Sequence, residues 1–363
     1  MSKILSGELI GKRESVTDQI LLLNPYQTPM LAMLGFGQAV NQVEHIWFED
    51  SMFADESKVN GAKLAADTEI VVADVEPFRA GHVVKVGEEL ILVTGVDAVA
   101  KKLSVMRGYA GTTAADIANG AKIEVQFVEG SEGADARAAR YKARVRKSNI
   151  TQIFDETIEI TGTAAAVANY GIDDMYEYEK AKKQLELALQ LEKAVINGIR
   201  YENGTVRQMD GVRNLIKTNV SDIQNVDLTI DHINDSLQSI YTKGGFATGG
   251  RYEIIVAAKQ KRRIGKFDKE AIRINQGEEK RGTVVNFITT DFGEFPVSIN
   301  DNLAPDEVLI LDKNRINIRN LTGRDFSHEY LGKKGDYLQG MIVGEYTLEF
   351  HQEAAHARIK GAK

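Results

Sequence analysis

No cysteine occurs among the 363 residues. That excludes disulfides, thiolate metal centres and thiol nucleophiles, and mildly favours a cytosolic origin. No apolar run approaches the roughly 20 residues of a membrane span. The opening MSKILSGELIGKRESV has no continuous apolar core of the signal-peptide kind. The short signatures of catalysis are missing too. The six histidines, His45, His82, His232, His328, His351 and His356, form no HExxH pair or other short zinc spacing. There is no GxSxG elbow, no GxGxxG fingerprint and no Walker loop.

Three weaker signals have structural readings. The loop RGYAGTT at 107–113 is glycine-rich but lacks the Lys-Ser/Thr ending of a phosphate loop, so it reads as a turn. GGFATGG at 244–250 follows a helical pattern rather than a strand and reads as a flexible turn. The adjacent carboxylates Asp173-Asp174, Glu278-Glu279 and Glu88-Glu89 point in different directions on a helix or strand, so none is an acid/base pair by itself. The sequence therefore offers no catalytic, cofactor-binding or metal-ligating residue. It is read as a protein that is not an enzyme and carries no cofactor.

Hydrophobic residues make up 43% and charged residues 27%, ordinary for a globular protein with two or three domains. The net charge is −7 and the pI about 5.6. This balance argues against a dedicated nucleic-acid binder. Any assembly must overcome its self-repulsion.

Two of the five prolines, Pro25 and Pro29, fall in residues 1–45, which read as an extended arm with short helical turns. A strand-like run, Val43 to Phe48, follows. Residues 70–128 hold five short β-rich runs, EIVVADV, HVVKVG, ELILVTGV, KKLSVMRGY and AKIEVQFV, with turn residues between them. Such spacing predicts a small barrel or sandwich. Its ends, Asp74 and Val128, are expected to lie close together. The β-like run Phe154 to Thr161 leads into one long helical pattern, Asp173 to Ile199. Asp173 is its candidate cap, and Asp174, Glu177 and Glu179 suit the positive end of the dipole. The helix would be about 40 Å long at roughly 1.5 Å per residue. Tyr178, Ala181, Leu185, Ala188 and Leu189 keep helical spacing, and Leu187, Leu191, Ala194, Val195 and Ile196 widen the apolar surface, which implies burial on more than one side.

A mixed α/β region follows. It has helices at Thr229–Tyr241 and Lys259–Phe267, and strands at Tyr252–Ala257, Val284–Thr289, Phe295–Asn300, Glu307–Asp312 and Arg315–Arg319. Met341–His351 reads as the last strand, after which AHARIKGAK closes the chain. Two basic segments stand out. One is Arg137, Arg140, Lys142, Arg144, Arg146 and Lys147; the other is Lys259, Lys261, Arg262, Arg263, Lys266, Lys269 and Arg273. Either could touch DNA or an acidic neighbour. A solvated loop return is favoured for the first, and a solvated helix face is an equal alternative for the second.

This organisation resembles the major capsid protein of tailed bacteriophages, with the Hong Kong-97 fold. The likeness rests on the arm, the block QIFDETIEITGTAAAVANYGIDDMYEYEKAKKQLELALQLEKAVINGI, the turn DGVRNLI (Asp210 to Ile216) and the ending YTLEFHQEAAHARIKG (Tyr346 to Gly361). The resemblance implies an α+β fold with a β-barrel or β-sandwich insertion in an extended loop. Residues 1–45 would be the N-terminal arm. Residues 46–150 would be the extended loop, with its insertion at about 74–128. Residues 151–203 plus 340–363 would be the peripheral domain with spine helix 173–199, and 204–339 the axial domain. It further implies self-assembly into hexamers and pentamers, a separate scaffolding protein because no long helical N-terminal extension is visible, portal and decoration proteins, weak non-specific contact with packaged DNA, and no membrane partner. The expected location is the virion, with assembly in the host cytoplasm. The lysine–asparagine crosslink of some relatives finds no matching pair. The alternatives are an encapsulin-like compartment shell, an enzyme with an unrecognised α/β site, and a decoration or tail protein.

Overall fold

The computed structural model describes residues 28–130, 132–133, 135–137, 139–167, 174–246, 249–265, 287–333 and 335–363. The first 27 residues of the expected arm, the candidate cap Asp173, Lys266, Lys269 and Arg273 of the second basic segment, the pair Glu278-Glu279, and the start of the strand expected from Val284 lie outside the described residues.

In chain order come α1 (Pro29–Leu34), β1 (Glu44–Glu49), β2 (Glu56–Lys58), β3 (Glu69–Val71), β4 (His82–Val86), β5 (Glu89–Asp97), β6 (Lys102–Met106) and β7 (Lys122–Val128). Then follow β8 (Val145–Ile150), β9 (Gln152–Thr161), α2 (Gly162–Ala166), α3 (Met175–Asn197), β10 (Tyr201–Asn203), β11 (Val206–Gln208), α4 (Val212–Leu215), β12 (Val220–Val226) and α5 (Ile230–Thr242). The rest comprises β13 (Tyr252–Val256), α6 (Ala258–Ile264), β14 (Phe287–Thr290), β15 (Gly293–Ile299), β16 (Val308–Asp312), β17 (Ile316–Asn320), β18 (Ser327–Lys333), β19 (Tyr337–Phe350) and β20 (Ala357–Ala362). Residues up to Trp47 together with Arg146–Lys363 form one compact unit, and Phe48–Val145 form another.

The second unit is a six-stranded antiparallel sheet in the order β2-β7-β4-β5-β6-β3. A bridge between Val59 and Val72 closes it into a barrel, helped by Asn60 N–H donating to Val71 O at 2.8 Å. Val84, Ile91, Val93, Leu103 and Ile123 fill the interior. All five β-rich runs form strands. The sixth, β2, is the polar ESK, which carries no β signal. The barrel therefore takes β2 and β3, with the core residues Val59, Ile70 and Val72, from outside the interval 74–128.

In the first unit, α3 begins where the Asp174 side chain accepts from the amides of Tyr176 and Glu177. It ends at Gly198. There the chain crosses Gly211 so closely that a Cβ on either residue would sit 2.5 Å from a backbone atom. Leu187, Leu191, Glu192, Val195 and Ile196 are fully buried. The expectation that Leu185 lies in a buried face is corrected: it is 49% exposed, and Leu189 is half-buried. Leu185 lies on the same side of the helix as Glu192 and Ile196, but only the C-terminal half of that side is covered.

One face of a four-stranded sheet lies against α3. In it β19 pairs β9 along one edge and β17 and β18 along the other. A six-stranded mixed sheet runs β12-β20-β16-β13-β15-β14. Its central strands β13 and β16 are buried at every residue. Ile255, Leu309 and Leu311 face the core shared with α3, while Ile254, Val256, Val308 and Ile310 face a second core with α5. This two-faced burial accounts for their unbroken apolar runs.

The tail AHARIKGAK is a further correction. It forms β20, parallel to β12 and antiparallel to β16. Sheet pairing thus divides 340–363, since β19 and β20 lie in different sheets, and it places β17 and β18 beside β19 rather than with the strands before them.

Candidate assembly surfaces

The described part of the arm is strapped to the first unit by its backbone. Met30 and Leu31 are buried in the α3 core. Their amides donate to Glu192 Oε1 at 2.9 Å and Oε2 at 2.8 Å. Asn300 Nδ2 donates to Oε1 at 2.6 Å. Pro29 stands at the start of α1, where a missing N–H costs nothing, so the carboxylate meets the next two free amides. Burial pushes the Glu192 carboxyl up, and the three donors only partly offset it. Beyond α1, Phe36 forms a parallel bridge to Ile318 of β17 and Val40 one to Leu321 just past that strand, with Gly37 N–H on Ile318 O at 2.8 Å. Apart from the short helix α1, this segment has no core of its own and is held by what it lies on.

Buried carboxylates tie the sheets together. Glu307 takes Arg213 and Arg358 at 2.5 and 2.6 Å. Burial raises its pKa, and the two guanidinium groups outweigh that and hold it below the usual range. Glu345 joins Thr151, Arg207 and Arg324. Glu349 accepts from Arg319 and from His351 Nε2 at 2.8 Å, with His45 Nε2 at 3.6 Å. These partners overcome burial and hold it far below the usual range. Two histidines with no sequence spacing between them therefore meet on one carboxylate. Asn149 closes a similar tie, donating to Asp210 O and Leu348 O and accepting from the amides of Ile150 and Asp210.

The glycine-rich loop at 107–113 is occupied from within. Arg107 Nε and Nη2 each reach Glu89 at 2.8 Å, and the amides of Gly108 and Ala115 complete the cradle. Burial raises Glu89, but these donors prevail and keep it below the ordinary range. The donors a phosphate would need already hold a carboxylate. Its sequence neighbour Glu88 is exposed and paired with Lys85.

The first basic segment is mostly folded back. Lys142 meets Glu76 at 3.4 Å, Arg144 meets Asp50 at 3.5 Å, and Arg146 meets Glu44 at 3.3 Å. In the second, Arg263 meets Asp227 at 2.5 Å. Lys261 donates to Val297 O, and burial lowers its pKa to about 8. Among the described residues no group of three or more His, Asp or Glu is placed to hold a metal, and no helix is long and apolar enough to cross a membrane.

Glu192, Glu307 and Asn149 carry no motif in the sequence, and Glu89 stands out there only as half of the adjacent pair Glu88-Glu89. The one available signal was Glu192, a charge set among Leu191, Val195 and Ile196.

Comparison with known proteins gives these surfaces a context. A curated major capsid protein of Escherichia phage Phieco32 is 37% identical over 67 residues, which is 18% of this chain and only 19% of that relative's length. The capsid of cyanophage A-1(L) superposes with a TM-score of 0.56 at 10% identity, covering 97% of each chain. The capsid of a native GTA particle gives 0.52 at 12%, covering 98% of this chain and 97% of the other. These likenesses place the fold in the Hong Kong-97 class. The SU10 major capsid protein family model matches residues 3–363, and the chain belongs to that family of structural capsid proteins.

Proposed function

We infer that the chain is the shell-forming subunit of a tailed-bacteriophage head, joining copies of itself as hexamers and pentamers around double-stranded DNA. The observation that carries this is the capsid-family match along residues 3–363. Arms that gain order only by lying on a larger body suit a subunit that must reach its neighbours. In this reading residues 1–45 are the arm and 46–150 the extended loop with its barrel. Residues 151–203 with 340–363 form the peripheral domain, β20 lending its strand to the axial sheet, and 204–339 form the axial domain. A separate scaffolding protein, a portal and decoration proteins are the proposed partners, and assembly takes place in the host cytoplasm. The subunit's work is structural; no catalytic residue is proposed.

The test is to purify the full chain, alone and with a scaffolding partner, and to follow it by light scattering and electron microscopy. Closed isometric shells are expected. A chain that stays monomeric across salt, concentration and scaffold overturns the reading.

A further inference from the structure

Three arginines of the barrel unit stand apart from the neutralised cations around them. Arg79, Arg137 and Arg140 have no carboxylate partner among the described residues, although Lys142 and Arg144 of the same unit both do. All three grip one turn, Pro77 to His82. Arg79 Nε donates to His82 Nε2 at 3.1 Å. Arg137 packs its guanidinium on Gly81, where a Cβ would lie 3.6 Å from Nε, and bonds Glu129 O. Arg140 donates to Pro77 O at 2.9 Å and lies 4.1 Å over the Phe53 ring. His82 is only 3% exposed and its Nδ1 has no partner. Burial, with the three neighbouring guanidinium groups, lowers its pKa to about 4, so at neutral pH it adds no charge and offers no anion. The His82 ring nitrogen holds Arg79, and backbone carbonyls hold Arg137 and Arg140, the latter also over the Phe53 ring, so part of each guanidinium is fixed by an uncharged group and the positive charge is left unbalanced. Phe127, Val128 and Tyr141 are exposed in the same unit; Phe127 and Val128 pair with Val83 and His82.

The first unit carries a complementary surface. In the four-stranded sheet, Asp155 is paired with Val343 and that with Ser327; Thr157 is paired with Met341 and that with Glu329; Glu159 is paired with Gln339. Directly paired residues share a face, so Asp155, Glu159 and Glu329 lie on one face, opposite the one that packs on α3 through Phe154 and Ile158. Asp155 and Glu329 sit two strands apart and two residues out of register, roughly 12 Å, around a half-buried Met341 and Val343. No ion pair neutralises these three carboxylates among the described residues; Glu159 has only Gln339 Nε2 at 2.7 Å.

We propose that the Arg79–Arg137–Arg140 cluster of one copy docks on the Asp155–Glu159–Glu329 sheet face of a second copy. The inference rests on the shell reading above and names one of its contacts. Guanidinium groups fixed in advance lose little freedom on meeting carboxylates and bind them in forked pairs. Apolar residues beside each charge cluster give the contact a dry centre with a charged rim.

The test uses charge reversal in the full chain. One variant carries R79E, R137E and R140E, a second D155R, E159R and E329R, and a third all six. Each triple is expected to reduce shell yield by at least about tenfold at fixed concentration, and the six-fold variant to recover it, with circular dichroism and melting temperature unchanged. If the arginine reversals disturb the barrel, R79Q, R137Q and R140Q serve in their place, and the sheet-face triple decides alone. Wild-type yield in the sheet-face triple, or no recovery in a folded six-fold variant, overturns the proposal. So do arginine variants that assemble at wild-type yield but retain less DNA, which would assign the cluster to DNA phosphate. Wild-type protein run in parallel separates the two ideas: if it forms no shells, the shell reading itself has failed.

Discussion

Glu192 Oε1 accepts the amide of Met30 at 2.9 Å across 162 residues of sequence, so a charge in the middle of the long helix holds the start of the arm helix. Removing it leaves two buried amides and the Asn300 side chain without their acceptor, at about 1–3 kcal/mol for each orphaned group. E192A should melt earlier, and the amides of Met30 and Leu31 should lose hydrogen-exchange protection before those of Leu187 or Leu191. Unchanged protection at Met30 and Leu31 would show that apolar packing alone seats the arm.

The two sides of α3 should respond differently to charge. Leu187 is fully buried and Leu185 about half exposed. L187D places an unpaired carboxylate in the core, at a cost of several kcal/mol, and should abolish soluble protein. L185D should change stability by about 0.5 kcal/mol or less. Thermal unfolding of the pair checks this, and equal losses would contradict the exposure difference.

His356 makes stability depend on pH in a stated direction. Burial lowers its pKa from 6.5 to about 3, with Asp312 N–H donating to Nδ1 at 3.1 Å. The unfolded chain binds a proton near pH 6.5 and the folded chain does not until near 3. Stability is therefore present above 6.5 and is lost as pH falls through that window. At pH 5 the loss from this group is about 2 kcal/mol. H356Q should show a flatter melting temperature than wild type between pH 7 and 5, above the range where Glu307 and Glu349 protonate. Parallel curves for the two proteins would remove His356 as the cause.

The barrel should fold from 48–145 and fail from 72–130. The shorter piece lacks β2 and β3, with Val59 and Ile70, hence the two strands and the side chains that close the interior. A dispersed amide spectrum and a cooperative melt are expected for the longer fragment only. A folded 72–130 would mean that four strands suffice.

How far the sequence could be read depended on period and partner. The helix at 230–242 was plain because Ile233, Leu237 and Ile240 repeat on one face and Thr229 caps it with His232. The barrel strands showed because β-branched residues cluster in short runs. β20 was missed because its buried positions include the small Ala357 and Ala362 beside Arg358 and Lys360, so its alternation has little contrast. Leu185 was misplaced because spacing gives the width of an apolar surface but not how far along the helix its cover extends. The carboxylate hubs were invisible for a plainer reason: Glu307 meets Arg213 and Arg358 only after three separate elements have been brought together.

The shared wall formed by β13 and β16 has a further consequence. Ile254 and Ile255 are neighbours in the chain, yet each answers to a different core. Any shift of the strand that relieves crowding on one side presses on the other. Volume changes on opposite faces should therefore be coupled through the backbone, with double substitutions departing from the sum of the singles although the side chains never touch. A lineage altering this subunit would have to adjust the two interiors in step, and the central strands should be the slowest part of the molecule to drift.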